Sequence, residues 1–201
     1  MKMYKLIFAA VGATLLFGSL VSAAFAGNFE VSNKTLRATF REVEVEVPLV
    51  PIVRCEVVLE SVLHSRTMPK VIGSLIGFVT RVTVNACVNG TAIIQGERLP
   101  WHIRYSNFQG ALPNITSVIT HILGAGVRIR EAGGLECLIL SSAAEPVIGT
   151  YHRDLSGHLT FGLGGRIRTG AECFGVVGTV RSDSPQIFIS NTTIATSLRL
   201  I

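Results

Sequence analysis

Apolar and polar residues alternate with a period of two along most of the chain. In residues 36–47 the apolar positions are first even (Leu36, Ala38, Phe40) and then odd, with glutamates between the later valines. Such alternation is typical of strands that bury one face. The change from even to odd near Arg41 predicts a β-bulge or a strand break. Residues 36–47 are therefore predicted to form β-structure.

Further alternating segments follow, separated by short turns rich in Gly, Pro, Asn and Ser. Strands are predicted within residues 53–59, 78–86, 101–105, 127–130, 136–140, 147–152, 159–163, 173–180, 186–190 and 194–200. Residues 114–123 place some apolar side chains at helical spacing, but their β-branched content favours a strand. Many short strands with such turns predict an all-β fold, an antiparallel β-sandwich with a barrel as the alternative.

The first 26 residues have the organisation of a secretory signal peptide. Lys2 and Lys5 precede sixteen uncharged, mostly apolar residues, and Ala24-Phe25-Ala26 offers a small-residue cleavage site. A retained membrane anchor is the alternative, but the run is short for a span of about 20 residues. We therefore expect a signal peptide at 1–26 and a secreted all-β domain at 27–201, without a transmembrane helix in the mature chain.

The chain has four cysteines, which in an exported protein predict two disulfides. Three pairings are possible, and we favour the sequential one, Cys55 with Cys87 and Cys137 with Cys173. The intervals within the two pairs, 32 and 36 residues, nearly repeat. Two halves of similar plan with a boundary near Pro113 would explain this, and coincidence is the other interpretation. A metal site is disfavoured, because the sequence has no Cys-x-x-Cys motif and no histidine lies near a cysteine at the spacing of metal ligands.

Charge and composition exclude some functions. Without the predicted signal peptide, 16 basic residues face 13 acidic ones, and the basic residues are scattered. This does not predict nucleic-acid binding. The only aspartates, Asp154 and Asp183, are far apart, so a calcium loop is not expected.

Two polar clusters are candidate sites. His102 and Arg104 would share the outward face of a strand beside Trp101, where they could bind a carboxylate or phosphate, and an ordinary half-exposed strand is the alternative. His152, Asp154 and His158 could supply an acid–base pair, but their position before Ser156-Gly157 also fits a hairpin turn.

Four short segments carry a family resemblance: residues 63–67 (LHSRT), 75–81 (LIGFVTR), 99–102 (LPWH) and 112–116 (LPNIT). Through them the chain resembles a group of uncharacterised exported β-rich proteins predicted in high-GC Gram-positive bacteria. The resemblance implies an exported β-rich protein and no particular chemistry.

The expected function is that of a secreted, non-catalytic β-domain of the extracellular space or cell envelope, with an unknown partner there. The sequence has no nucleophile elbow, zinc-protease motif or phosphate-binding glycine loop, and nothing calls for a cofactor. One alternative is a secreted hydrolase that uses His102 or His152 as its base. Another is an outer-membrane β-barrel, although only ten aromatic residues follow Gly27 to form its girdles.

Overall fold

A computed structural model describes residues 28–111, 114–154 and 156–200 of the protein. The predicted signal peptide at 1–26 and the boundary near Pro113 lie outside the described residues. Within them the fold is all-β, as the alternation predicts, and none of the described elements is a helix long and apolar enough to cross a membrane.

Sixteen strands make up the described part of the chain. The first eight are β1 (Asn28–Val31), β2 (Thr35–Glu46), β3 (Val53–Leu63), β4 (Thr67–Pro69), β5 (Leu75–Val88), β6 (Gly90–Ile94), β7 (Trp101–Ala111) and β8 (Asn114–Leu123). The others are β9 (Gly126–Glu131), β10 (Glu136–Leu140), β11 (Val147–Arg153), β12 (Leu159–Gly164), β13 (Arg166–Thr169), β14 (Val177–Ser182), β15 (Ile187–Ile189) and β16 (Leu198–Leu200). Two short 3₁₀ turns, Gly96–Arg98 and Ala171–Cys173, interrupt them.

Thirteen of these strands form one antiparallel sheet that curls into a half-barrel. Its order is β12-β11-β8-β7-β5-β3-β2-β14-β13-β10-β9-β6, and β15 also pairs with β2. The end strand β12 returns to β14: the Leu163 N–H donates to Ser182 Oγ at 2.8 Å, and the Val180 N–H donates to the Gly165 carbonyl at 3.0 Å. The curl gives the sheet a concave face, on which the core forms.

A small second sheet, β16-β1-β4, covers part of this core. Phe29 on β1 is fully buried, and its ring centroid lies 6.0 Å from that of Tyr105 and 6.4 Å from that of Phe108, both on β7. These aromatic contacts attach the small sheet to the large one.

The long central strands follow the predicted pattern. The register of β2 against β3 shifts between Phe40 and Val43, where the sequence predicted a bulge. The bulge keeps Phe40 and Val43 both buried although they differ in parity. Residues 114–123 form strand β8, as their β-branched content predicted.

Both disulfides join the cysteines in the sequential pairing. Cys55 on β3 lies opposite Cys87 on β5 with their Cα atoms 4.1 Å apart. Cys137 on β10 pairs with Cys173, with the Cα atoms 5.4 Å apart. The two pairs differ in setting, because Cys87 lies on a strand and Cys173 in a 3₁₀ turn. The interpretation as two similar halves stays a prediction.

Two predicted strands start later than their alternation suggested. Residues 194–200 were expected to be a strand, but β16 begins only at Leu198. Residues 173–180 were expected to be extended, but β14 begins at Val177 after a 3₁₀ turn at Ala171–Cys173. Phe174 and Gly175 have φ values of +63° and +60°, which end the turn. The Thr169 hydroxyl lies 3.0 Å from each of the Cys173 and Val176 carbonyl oxygens and shares its single proton between them, which stabilises this bend.

Gly178 lies on β14, close to the backbone of the neighbouring strand β2. A Cβ on Gly178 would collide with the backbone carbonyl oxygen of Glu46, which cannot move aside as a side chain can. We therefore expect Gly178→Ala to lower the free energy of unfolding by about 1 to 3 kcal/mol. The control is Gly96→Ala, because a methyl group on Gly96 would meet no atom within 4 Å; it should change stability by less than about 0.5 kcal/mol. Equal denaturation midpoints for the two variants would contradict the packing described here.

Tyr151 packs in an apolar setting, with its ring stacked on Phe161 at a centroid distance of 4.5 Å. Burial raises the pKa of Tyr151 well above its ordinary value, and burial also raises the pKa of Tyr105. In the unfolded chain a tyrosine has a pKa of about 10. Because the folded-state pKa is higher, the free energy of unfolding is unaffected below this pH and falls as the pH rises above it. We expect the free energy of unfolding to fall above pH ~10, and to fall less steeply in Tyr151→Phe. Urea unfolding of both proteins across this pH range is the measurement, and identical slopes would refute it.

Candidate functional site

The concave face of the large sheet encloses a cavity of about 100 Å³. All twelve strands of the main sheet order contribute residues to its wall, and the wall is almost entirely aliphatic. Val57, Ile129 and Ile167, from strands β3, β9 and β13, are buried parts of it. No charged side chain of the described residues lines the cavity.

The cavity follows from the size of the inward-facing residues. Elsewhere on the concave face aromatic rings fill the space, as where Phe40 meets Phe161 at a centroid distance of 5.8 Å. Around the cavity the inward positions are almost all aliphatic, and several are as small as valine or alanine, including Val84, Ala92 and Ala125. These side chains are too short to meet across the curl, and a space remains between the walls.

Strand pairing is interrupted beside the cavity. Strand β5 pairs with β7 only over residues 75–79, and β6 pairs only with β9 among the described strands. Residues 80–88 of β5 and 90–94 of β6 therefore each keep one edge without a paired strand among the described strands, and the region between them is called the β5–β6 seam. Val82 and Val84 on one side, and Ala92 and Ile94 on the other, are half-buried and line the cavity. The seam therefore borders the cavity.

Two residues of the wall carry polar side-chain atoms. Ser141 Oγ accepts a hydrogen bond from the Ala125 N–H at 2.8 Å. Trp101 is only 5% exposed, and its Nε1 is buried without a hydrogen-bond partner within the described part of the chain. A buried donor without an acceptor costs about 1 to 3 kcal/mol, which makes Trp101 the unusual residue of the wall.

The sequence-predicted group around Trp101 is divided between the two faces of β7. Trp101 points into the concave face, whereas His102 and Arg104 are exposed on the other side. Arg104 Nη1 donates to the Gly73 carbonyl at 2.8 Å, and the His102 ring lies 5.4 Å from that of Phe78. Arg104 therefore fastens the loop before β5, and a ligand-binding role for His102 and Arg104 stays a prediction.

The second sequence-predicted cluster closes the turn between β11 and β12. Asp154 Oδ1 accepts from the His158 N–H at 2.8 Å, and the Asp154 N–H donates to the His158 carbonyl at 2.9 Å. His158 Nδ1 lies 3.7 Å from Asp154 Oδ2, and His152 is exposed on β11. These contacts are those of a hairpin turn. In the described ranges no three His, Cys, Asp or Glu side chains lie together as a group that could hold a metal ion.

The convex side carries a polar depression of about 360 Å³ between β2 and β14, lined by Glu42, Glu44, Arg181 and Asp183. Arg54 Nε lies 2.6 Å from Glu44 and 3.1 Å from Glu42, and its hydrogen bond lowers the pKa of Glu44. Exposed pairs of this kind contribute little to stability. The depression is open, and two of its carboxylates already pair with Arg54, so the cavity of the concave face is the stronger candidate site.

Sequence reasoning placed Trp101 correctly on the core side but did not find the cavity. The sequence feature that could have indicated the cavity is the small size of the inward residues Val82, Val84 and Ala92. Their meaning depends on which strands face each other across the curl, and residue alternation does not give that information.

The chain matches no protein-family model, no curated protein and no solved structure at a significant level.

Proposed function

We propose that this protein is a secreted, non-catalytic β-domain that binds a small apolar ligand in the cavity of its concave face. The observation that carries the proposal is the aliphatic wall of a space of about 100 Å³ beside the β5–β6 seam. Ligand pockets are commonly concave and mostly apolar, with few polar groups.

The size of the cavity limits the ligand. An engineered apolar cavity of about 150 Å³ in another protein stays dry and binds benzene. The smaller cavity here suits a compound of a few carbon atoms, or the end of an alkyl chain whose remainder passes through the seam. Each buried methylene contributes about 0.8 kcal/mol to such binding, so a short chain suffices for measurable affinity.

Two observations support the secreted, non-catalytic part of the proposal. Disulfides form and persist in oxidising compartments, and both cysteine pairs are joined. The polar residues that sequence reasoning offered for catalysis do not line the cavity: His102 is on the opposite face of its strand, and Asp154 holds a turn together.

Thermal unfolding with and without saturating n-hexane tests the proposal. A ligand that binds only the folded state raises the melting temperature, and we expect a saturable increase. Ala92→Phe should abolish the increase, because its ring would occupy the cavity from the seam. Ile93→Phe is the matched control, since Ile93 is the next residue of β6 and is 61% exposed.

The proposal fails if n-hexane does not raise the melting temperature of the wild type, or raises that of Ala92→Phe equally. Should Ala92→Phe not fold, Ala92→Leu offers a smaller filling of the same place, with a partial loss of the increase expected.

A further inference from the structure

We propose that this protein binds lipid bilayers with zwitterionic headgroups, and that Leu49 and Phe174 insert their side chains among the lipids. The loops that carry them, residues 47–52 and 170–176, are here called the apolar end. Neither side chain lines the cavity of the concave face. The inference therefore concerns a second surface and does not depend on ligand binding in the cavity.

Strand pairing places these two loops side by side. Strand β14 pairs with β2 in antiparallel orientation, with Thr179 opposite Glu46. Residues 47–52 follow the last residue of β2, and residues 170–176 precede the first residue of β14. Because the two strands are antiparallel neighbours, both loops leave the large sheet at the same end.

Each loop presents a large apolar side chain to solvent. Leu49 is 95% exposed and Phe174 is 75% exposed. Their φ values are +68° and +63°, in a backbone region that is uncommon for residues other than Gly, Asn and Asp. One exposed apolar side chain is ordinary. Two of them on neighbouring turns, each at a position where a polar residue or glycine is usual, indicate a surface that binds an apolar partner.

The composition of the loops favours lipid over protein as this partner. Residues 47–52 are all apolar, and Glu172 is the only residue of 170–176 with a polar side chain. Glu172 Oε1 accepts a hydrogen bond from the Leu138 N–H at 2.7 Å and so binds back onto the fold. Protein interfaces usually contain direct hydrogen bonds, and these loops offer almost no side-chain group for them. Insertion into a bilayer requires none.

The backbone of the two tips also suits an apolar medium, in which an unpaired N–H group is costly. The Val50 N–H donates to the Val47 carbonyl at 3.1 Å, and the Phe174 N–H donates to the Ala171 carbonyl at 3.0 Å. The two prolines of the first loop have no N–H to pair. A shallow insertion therefore takes these donors into the bilayer already paired.

The apolar end provides no attraction for anionic lipids. Neither loop contains Lys or Arg, and the one charged group is the carboxylate of Glu172. Proteins that select anionic membranes use clusters of basic residues near the lipid surface. We therefore expect binding to phosphatidylcholine that phosphatidylglycerol does not strengthen, and that changes little with salt.

The test is co-sedimentation with phosphatidylcholine vesicles, with lipid raised to millimolar concentration. Two inserted side chains should bind more weakly than a myristoyl chain, whose association constant is about 10⁴ M⁻¹. The variants are Leu49→Asn and Phe174→Asn, because Asn tolerates a positive φ and the change removes the apolar side chain without straining the turn. We expect each to lower the partition coefficient about tenfold, and the double variant to lower it further.

Ile72→Asn is the matched control, because Ile72 is 78% exposed but lies at the other end of the large sheet. It precedes β5, whose last residue, Val88, is opposite Arg54 near the start of β3 and so beside the apolar end. This variant should bind vesicles as the wild type does. Unchanged melting temperatures would show that all variants fold.

Three results would overturn the inference. The first is a wild type that does not bind phosphatidylcholine vesicles, and the second is equal loss of binding in Ile72→Asn and Leu49→Asn. The third is binding that requires phosphatidylglycerol and disappears at high salt. If the apolar end instead joins two copies of the chain, light scattering would show a dimer that Leu49→Asn dissociates, without vesicle binding, and the proposal would also be wrong.

A second measurement locates the inserted surface directly. Phe174→Trp adds an indole at one tip, whereas the native Trp101 is only 5% exposed. Phosphatidylcholine with brominated acyl chains should quench the emission of Phe174→Trp much more than that of the wild type or of Ile72→Trp. Equal quenching in Phe174→Trp and Ile72→Trp would contradict insertion of the apolar end.

Discussion

Trp101→Ala is expected to lower the free energy of unfolding by about 3 to 5 kcal/mol, as large-to-small substitutions of buried aromatic residues do. Trp101 is 5% exposed and forms part of the cavity wall, so its removal would enlarge a space that is already empty of protein atoms. Such a loss is a large part of the stability of an ordinary domain, about 5 to 15 kcal/mol.

His102→Ala is the control for this prediction. His102 is the next residue of the same strand and is exposed on the opposite face, so its loss should change stability by less than about 0.5 kcal/mol. Arg104→Ala is less suitable, since it also removes the hydrogen bond to the Gly73 carbonyl. Chemical denaturation of both variants is the measurement. A Trp101→Ala protein as stable as the wild type would mean that the indole is not packed in the wall.

The second large effect is expected from removing the disulfide between Cys137 and Cys173. The pair closes a separation of 36 residues, and both cysteines are almost completely buried, at 0% and 1% exposure. The double variant Cys137→Ala/Cys173→Ala should lose about 2 to 5 kcal/mol, from the freer unfolded chain together with lost packing.

The matched comparison is Cys55→Ala/Cys87→Ala. Its separation of 32 residues gives a similar contribution from the unfolded chain, but Cys87 is only half-buried. The loss should therefore be smaller. Urea unfolding of the two double variants measures the difference, and a larger loss for the Cys55–Cys87 pair would show that burial at Cys137 is not what distinguishes them.

Local features of the fold could be predicted from the sequence because they depend on neighbouring residues. The parity change near Arg41 predicted the shift in register between Phe40 and Val43, and the β-branched residues of 114–123 predicted strand β8. The start of β14 was predicted too early, because the positive φ of the non-glycine Phe174 has no signal in the alternation.

The candidate site could not be predicted, because it depends on contacts between distant parts of the chain. The valines of β5 line a cavity only because β9 and β13 curl round to face them. The donor of Trp101 is unusual only because no acceptor from another described strand reaches it. Sequence pattern identifies inward positions and leaves open what lies opposite each of them.

The most direct test of ligand binding in the cavity is quenching of Trp101 fluorescence by 1-bromohexane. Since Trp101 is the only tryptophan and lines the cavity, a bromoalkane bound there contacts the indole and quenches its emission. We predict saturable quenching in the wild type and in Ile93→Phe, and only weak, linear quenching in Ala92→Phe. Linear quenching in all three proteins would contradict binding in the cavity.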